Sequence, residues 1–498
     1  AVIEEEQRRE EIKKEKERKK ATRQIFNTEG DILNEQPRNR QLSLWDLAEG
    51  ISENGIPDAV SDFVDDGRAA RTFEENRKGG TGTQTAAYPS TASGQLVLGF
   101  PNEFAEYPSD GAGDRGRNSD NGGVPPARNY RLTEEHFQYA TGAKTRYRQN
   151  IEAIKVMKRL RAEGKQASEE EKAILSRYVG WGGLAYAFDP DKPEWSKEYT
   201  ELRDILDAEE YRLANESVLS AHYTPKTIID GIYVALKRMG FVRGKILEPA
   251  LGIGNFIGLL PETFNAKETY GVEIDSITGS IAKLLYPETK VRIQGFEKTN
   301  FANNSFDAVI TNVPFGSFKV YDKDYDRLGF YIHNYFLAKS LDKIRPGGII
   351  AAITTKGTMD KADSDVRQYI ANRAKLLGAI RLPNNAFKTS AGTEVTADIL
   401  FFQKRDKIVE KAKDEWIKVG VDENGISVNQ YYIDHPEMLL GTMVQHKCMY
   451  WRDDETELLP DERDLGQAIA EAVARLPERV YDESKAVPVG KGIAEAEI

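Results

Sequence analysis

Between positions 223 and 405 the chain alternates short β-branched runs with amphipathic stretches, and this alternation restricts the possible folds more than any other feature of the sequence. Strand-like runs fall at 245–248, 269–274, 291–294, 306–311, 349–354, 378–382 and 397–403, with helical stretches such as 277–286 and 331–344 between several of them. Strands separated by helical patterns predict a doubly wound, mainly parallel α/β sheet, whose ligand lies at the carboxyl ends of the strands. At the start of this region Thr224-Pro225 reads as an N-cap followed by Pro at the first helical position. Ile228, Ile229, Ile232 and Leu236 then line one face, and Gly240 stops the helix.

The remaining segments frame that core. A chain of 498 residues, 40% hydrophobic and 30% charged with a net charge of -11, is long enough for a sizeable core but polar enough that part of it stays outside. The stretch 1–129 is expected to be mostly disordered: 4–23 is charged, and 30–127 is rich in Gly, Ser, Asn, Asp and Pro with apolar islands only at 42–47 and 96–100. A helical segment, 130–220, follows; Ile151, Ile154, Met157 and Leu160 recur at helical spacing, and Ser168 with Glu171 forms a capping box. Trp181-Gly182-Gly183 reads as a tight turn, with Trp181 a buried anchor or a platform for a base. The catalytic core is placed at 221–405, and 406–498 is a small C-terminal segment with a helix over 464–476. One cysteine, Cys448, excludes a disulfide framework and a structural zinc site, and no apolar run is long enough to span a membrane. A reducing, cytoplasmic setting is expected, with no metal and no membrane partner.

Two acids and a glycine-rich turn carry the first chemical signal. Glu248-Pro249-Ala250-Leu251-Gly252-Ile253-Gly254-Asn255-Phe256 follows a strand and precedes a helix, where glycines allow close backbone approach. Glu273, at the end of the next strand and followed by Ile274, is placed to accept hydrogen bonds from the ribose hydroxyls of an adenosine. Glu248, ahead of the turn, would repel a pyrophosphate but attract the cationic amino acid of S-adenosylmethionine. A sulfonium cofactor therefore fits better than a dinucleotide.

At the end of the strand 306–310 stands Thr311-Asn312-Val313-Pro314-Phe315-Gly316. Here the sequence resembles the S-adenosylmethionine-dependent adenine-N6 DNA methyltransferases, whose signature is Asn or Asp, Pro, Pro, then an aromatic. The order Tyr223-Thr224-Pro225, the turn 248–256, Glu273 and then the tetrapeptide matches the family's gamma arrangement, and the resemblance covers about 223–405. It implies that Thr224 holds the cofactor together with Glu248, Pro249, Ala250, Gly252, Gly254, Asn255, Phe256, Glu273 and Ile274, and that Phe296 and Glu297 flank its adenine. Asn312, Val313, Pro314 and Phe315 would hold a flipped adenine. An N6 lone pair delocalised into its ring is a poor nucleophile; the side-chain oxygen of Asn312 and the carbonyl of Val313 can accept its two hydrogens, while Phe315 stacks on the base. Val313 stands where Pro is usual and loses the fixed φ while keeping the carbonyl.

A closer likeness joins Tyr178 to Leu184, Ser220 to Thr224, His333-Asn334-Tyr335-Phe336 and Ala391 to Val395 to the methylase regions of very large methylase-helicase proteins of bacterial conjugative elements and phages. On that resemblance, and from the start at Ala1, the chain reads as a fragment whose partners are DNA and a helicase region C-terminal to it. His222 and His333 read as structural histidines. Lys319, Lys323 and Arg327, interleaved with Asp322, Asp324 and Asp326, read as a mobile flap. Two alternatives stay open: a weak or inactive methyltransferase-fold module that reads DNA for a helicase, and a protein-glutamine N5 methyltransferase.

Overall fold

The computed structural model describes residues 128–137, 142–219, 223–388, 394–446 and 455–485. The expectations for 1–127, Ser220 to His222, Ala391 to Thr393 and Cys448 lie outside these residues.

Seven strands form one sheet: β1 Arg243–Glu248, β2 Asn265–Glu273, β3 Lys290–Ile293, β4 Phe306–Asn312, β5 Ile344–Thr355, β6 Ala374–Leu382 and β7 Ala397–Lys404. Each expected run is a strand, displaced at its ends by a few residues. The spatial order is β3-β2-β1-β4-β5-β7-β6. The strands β1 to β5 pair in parallel, and β7 runs antiparallel to both β5 and β6. Every residue of β4 except Asn312 is buried, as helices on both faces of a parallel sheet require; its sequence is accordingly a continuous apolar run broken only by Asp307 and Thr311. The chain walks outward from β1 to β3 and then returns to place β4 on the other side of β1. The strand order thus reverses between β1 and β4, the switch point at whose carboxyl ends open α/β sheets form their ligand crevice. Glu248 ends β1 and Asn312 ends β4.

Polar anchors inside the core fix the strands against one another. Arg381 of β6 has no exposed surface; its Nε and one terminal nitrogen donate to the two oxygens of Asp398 on β7 at 2.7 and 2.9 Å, and its other terminal nitrogen donates to Asp360 at 2.6 Å. Removing one partner of a buried pair strands the other charge, so Asp398→Ala is expected to cost about 3–5 kcal/mol. Urea denaturation checks this; a loss below about 1 kcal/mol would contradict the pairing.

The C-terminal strip packs on this sheet. Asp464 caps the helix Leu465–Val473. Its Ile469 lies against the helix Lys226–Arg238 so closely that a Cβ at Gly231 would sit 2.3 Å from the isoleucine. Further along, the Tyr481 hydroxyl donates to Asp307 at 3.2 Å.

The helical segment forms a second apolar cluster on the other flank. Helix Ala143–Glu163 buries Tyr147, Ile151, Ile154, Met157 and Leu160. Ser168 and Glu171 close the expected capping box on Glu169–Leu175. This cluster continues into Leu251, Ile253 and Ile257 of the glycine turn and Ile277, Ile281 and Leu285 of the helix Ser276–Leu285. Trp181 is wholly buried, edge-on to Phe188 with centroids 5.3 Å apart, so it is an anchor and not a platform. No described helix is long and apolar enough to cross a membrane.

Candidate active site

The turn after β1 is closed by backbone bonds from Leu251 to the Val272 carbonyl and from Gly254 to the Leu251 carbonyl, both 2.9 Å. Gly252 and Gly254 have φ of 55° and 82°, a left-handed conformation that glycine adopts without strain. What they admit is aromatic. A Cβ at Gly252 would meet the Tyr223 ring at 3.0 Å, and one at Gly254 the Tyr286 ring at 2.5 Å. The close approach expected of a ligand is therefore, at Gly254, the approach of Tyr286. Asn255 opens the one-turn helix Asn255–Gly258, and it and Phe256 are buried in the core beside Pro249, with Ala250 half-buried at the turn.

Tyr223 is the residue whose importance sequence reasoning missed. Its ring also lies over Gly180, where a Cβ would come within 2.8 Å, so one tyrosine bridges the Trp181 turn and the glycine turn after β1.

Two carboxylates stand at the crevice. Glu273 is half-buried; one oxygen accepts the Gly252 N–H at 2.8 Å and the other the Asp275 N–H at 2.9 Å. A carboxylate has about four lone-pair sites, so this leaves capacity for further donors. Burial, then Asp275, pushes its carboxyl up to about 7 against the pull of those N–H groups. Glu248 is 2% exposed, its Oε2 has no hydrogen-bond partner, and burial together with Glu273 holds it well above the usual carboxylate range. A buried, under-satisfied acid of this kind is costly unless a cation or donor completes it. Ile274 follows Glu273 with 37% of its surface exposed.

Across the crevice, Asn312 donates from Nδ2 to the Thr224 hydroxyl at 3.2 Å. That bond corrects the expected helix start. The helix begins one residue later, at Lys226, with Pro225 extended at its cap and no side-chain cap, because the Thr224 oxygen faces Asn312 instead of the helix N–H groups. Val313 is buried, and its N–H donates to the Ile353 carbonyl at 3.0 Å, extending the β4–β5 ladder by one bond. Where a proline ring would fix φ, a ladder bond fixes the backbone of this chain. Val313→Pro should therefore lower stability by about 1–3 kcal/mol by orphaning the buried Ile353 carbonyl, measurable in urea; unchanged stability would show that the bond fixes nothing. Pro314 and Phe315 are half-buried, with Phe315 packed on the edge of the core.

Other expected residues fall elsewhere. Phe296 is 2% exposed and packs on Phe336 with ring centroids 5.2 Å apart, so it lies in the core and presents no open face to a cofactor ring. Glu297 is half-buried, folds back over Gly295, and is raised by burial. His333 is 7% exposed and burial pushes it down to about 4, so it is neutral near pH 7. The segment after the tetrapeptide is not a free flap. Asp322 turns inward to accept from the Tyr335 hydroxyl and Lys339 Nζ, both at 2.8 Å, and the Tyr325 hydroxyl donates to Asp342 at 2.6 Å. A shallow surface depression lined by Lys319, Tyr325, Leu328 and Phe330 among others includes none of the expected site residues. Among the described residues no group of three or more potential ligands is arranged to hold a metal.

Residues 208–424 match the N-6 DNA Methylase family. This matched segment holds β1 to β7 and all the expected site residues. The chain is also 30% identical over 261 residues to Defense against restriction protein B of Escherichia phage P1, a match covering 51% of this chain and 10% of the phage protein. Among solved structures, a class I S-adenosylmethionine-dependent methyltransferase from Listeria monocytogenes has 19% identity and a TM-score of 0.34, covering 54% of this chain and 91% of that one. A modification subunit of a type I restriction enzyme from Vibrio vulnificus YJ016 has 19% identity and a TM-score of 0.31, covering 48% and 54%. These likenesses are all to methylase or restriction-related proteins, and the chain spans about a tenth of the length of the phage protein that it matches.

Proposed function

We propose that the methylase segment transfers a methyl group from S-adenosylmethionine to the N6 amino group of an adenine flipped out of DNA. The observation that carries this reading is the convergence of Glu248, Glu273 and Asn312 on the crevice between β1 and β4.

The residues fit the cofactor. The unpartnered Oε2 of Glu248 suits a cationic amino group, the remaining acceptor sites of Glu273 suit ribose hydroxyls, and the exposed Ile274 suits the flat adenine face. Thr224, Ala250, Gly252 and Gly254 shape the turn between them, with Pro249, Asn255 and Phe256 supporting it from the core. S-adenosylmethionine supplies an electrophilic methyl on a sulfonium. The chain's own residues prepare the nucleophile. The Thr224 hydroxyl holds the amide of Asn312, whose oxygen and the Val313 carbonyl accept the two N6 hydrogens; this draws the lone pair out of conjugation. Phe315 stacks on the extruded base, and Pro314 holds the bend between them. Glu297 is left as a polar contact at the adenine edge and Phe296 as its core support.

Formation of S-adenosylhomocysteine tests the reading. Its release should depend on added DNA and stay at background with glutamine-containing peptides. Release with peptide alone would move the substrate to a protein amide; release with neither would leave a DNA-reading module.

A further inference from the structure

A second set of residues, on the helical segment, suits the DNA backbone. The helix Ala143–Glu163 pairs most of its cations with acids: Lys144 with Glu198, Lys155 with Glu201, Lys158 with Glu210 and Arg159 with Glu171. Arg148, Arg161 and Arg146 have no acid partner among the described residues; the first two are exposed, and of the three only Arg146 is drawn partly out of solvent. It is half-buried, its guanidinium lies against Gly183, where a Cβ would sit 3.4 Å from a terminal nitrogen, and among the described residues its side chain makes no hydrogen bond or ion pair. Burial is the one cause that moves its pKa, downward, because no carboxylate opposes it. A guanidinium with five unused donors and partial desolvation is poised for a planar, bidentate oxyanion.

Its surroundings indicate which one. Gly183 has φ of 70° and stands three residues before Tyr186, which is 50% exposed with Lys192 Nζ 5.0 Å from its ring centre. An exposed aromatic with a cation on its ring face is a combination used to hold bases and phosphates of an open strand. The same turn touches the candidate active site at its other end, since Gly180 lies under the Tyr223 ring that covers Gly252.

We propose that Arg146, with Tyr186 and Lys192 from the adjoining loop, binds a backbone phosphate of the DNA beside the target base. This rests on DNA being the substrate. A phosphate here would complete the unpaired guanidinium while the base enters the crevice, and would give the helical segment a part in DNA binding.

The test is a fluorescence-anisotropy titration of a labelled duplex oligonucleotide with the full chain across a salt series, beside calorimetry with S-adenosylmethionine. Each phosphate contact contributes about 0.9 to the slope of log affinity against log salt, so Arg146→Gln should lower the slope by about 0.9 and weaken DNA binding by about five- to tenfold. Cofactor affinity should be unchanged. Arg146→Lys should restore the slope, and Tyr186→Ala should weaken binding while leaving the slope alone. An unchanged slope and affinity in Arg146→Gln overturns the assignment, as does a loss of cofactor affinity with DNA binding intact. If the unaltered chain binds cofactor but no DNA, the assignment falls together with the DNA reading; an unchanged slope in a chain that does bind DNA removes this assignment alone.

Discussion

Asn312→Ala is expected to reduce the rate of methyl transfer by about 10²–10³-fold while leaving cofactor affinity within a few-fold of the original. The size follows from the removal of one fixed polar group aimed at charge that develops in the transition state. Asn312 closes β4 at the switch point, and its amide is held by the Thr224 hydroxyl at 3.2 Å, so its orientation is set before any substrate arrives. Losing it costs the acceptor and the preorganisation together. Thr224→Val should produce a milder version, since the amide remains but its partner does not. Single-turnover kinetics separate these effects from product release. A rate within threefold of the original in Asn312→Ala would mean that the tetrapeptide is a strand-end turn with no chemical role.

Glu248→Gln is expected to weaken S-adenosylmethionine binding by about 10²-fold and, unusually for a buried substitution, to raise the melting temperature of the ligand-free protein. Both follow from one fact: Glu248 is 2% exposed with an unpartnered carboxylate oxygen, and Glu273, a second acid, adds to the burial that raises it. Removing one member of a desolvated charge pair costs about 2–5 kcal/mol of affinity, whereas removing a buried charge that has no partner relieves the empty protein. The pH dependence has a defined sign. Burial raises both carboxyls, Glu273 to about 7 and Glu248 well above the usual range. A group with a raised folded pKa stabilises fully below its unfolded value and loses that contribution as pH rises through the folded value. The ligand-free protein should therefore lose stability from about pH 5 to pH 8, and Glu248→Gln should flatten that slope. Cofactor affinity should run the other way, rising through about pH 7 as the acids ionise. Calorimetry and thermal melts at pH 5, 7 and 8 check all three; affinity independent of pH and of Glu248 would remove this acid from the cofactor site.

The sheet was legible because both of its faces are covered. Phe306 to Ile310 and Ile349 to Ile353 read as near-continuous apolar runs, which is what a buried parallel strand leaves in a sequence. The site at the carboxyl ends of β1 and β4 was legible for a related reason: the glycines, the acids and the tetrapeptide each fall within a residue or two of a strand end. Contacts between distant segments were not. Nothing local shows that Thr224 turns to Asn312 instead of capping its helix, or that Val313 gains a ladder bond to Ile353 in place of a proline ring. Phe296 looked like a cofactor wall because of its place after β3, but the aromatic residues of the helix Ile332–Lys343 draw it into the core. Alternating charges at 322–327 looked solvated until Lys339, a distant helical residue, supplied a buried partner for Asp322.

The most direct measurement is transfer of a tritiated methyl from S-adenosylmethionine to unmethylated duplex and single-stranded DNA, followed by digestion to nucleosides. The account predicts label in N6-methyladenine that disappears in Asn312→Ala. Cofactor binding without label on any DNA, or label in a cytosine, would contradict it.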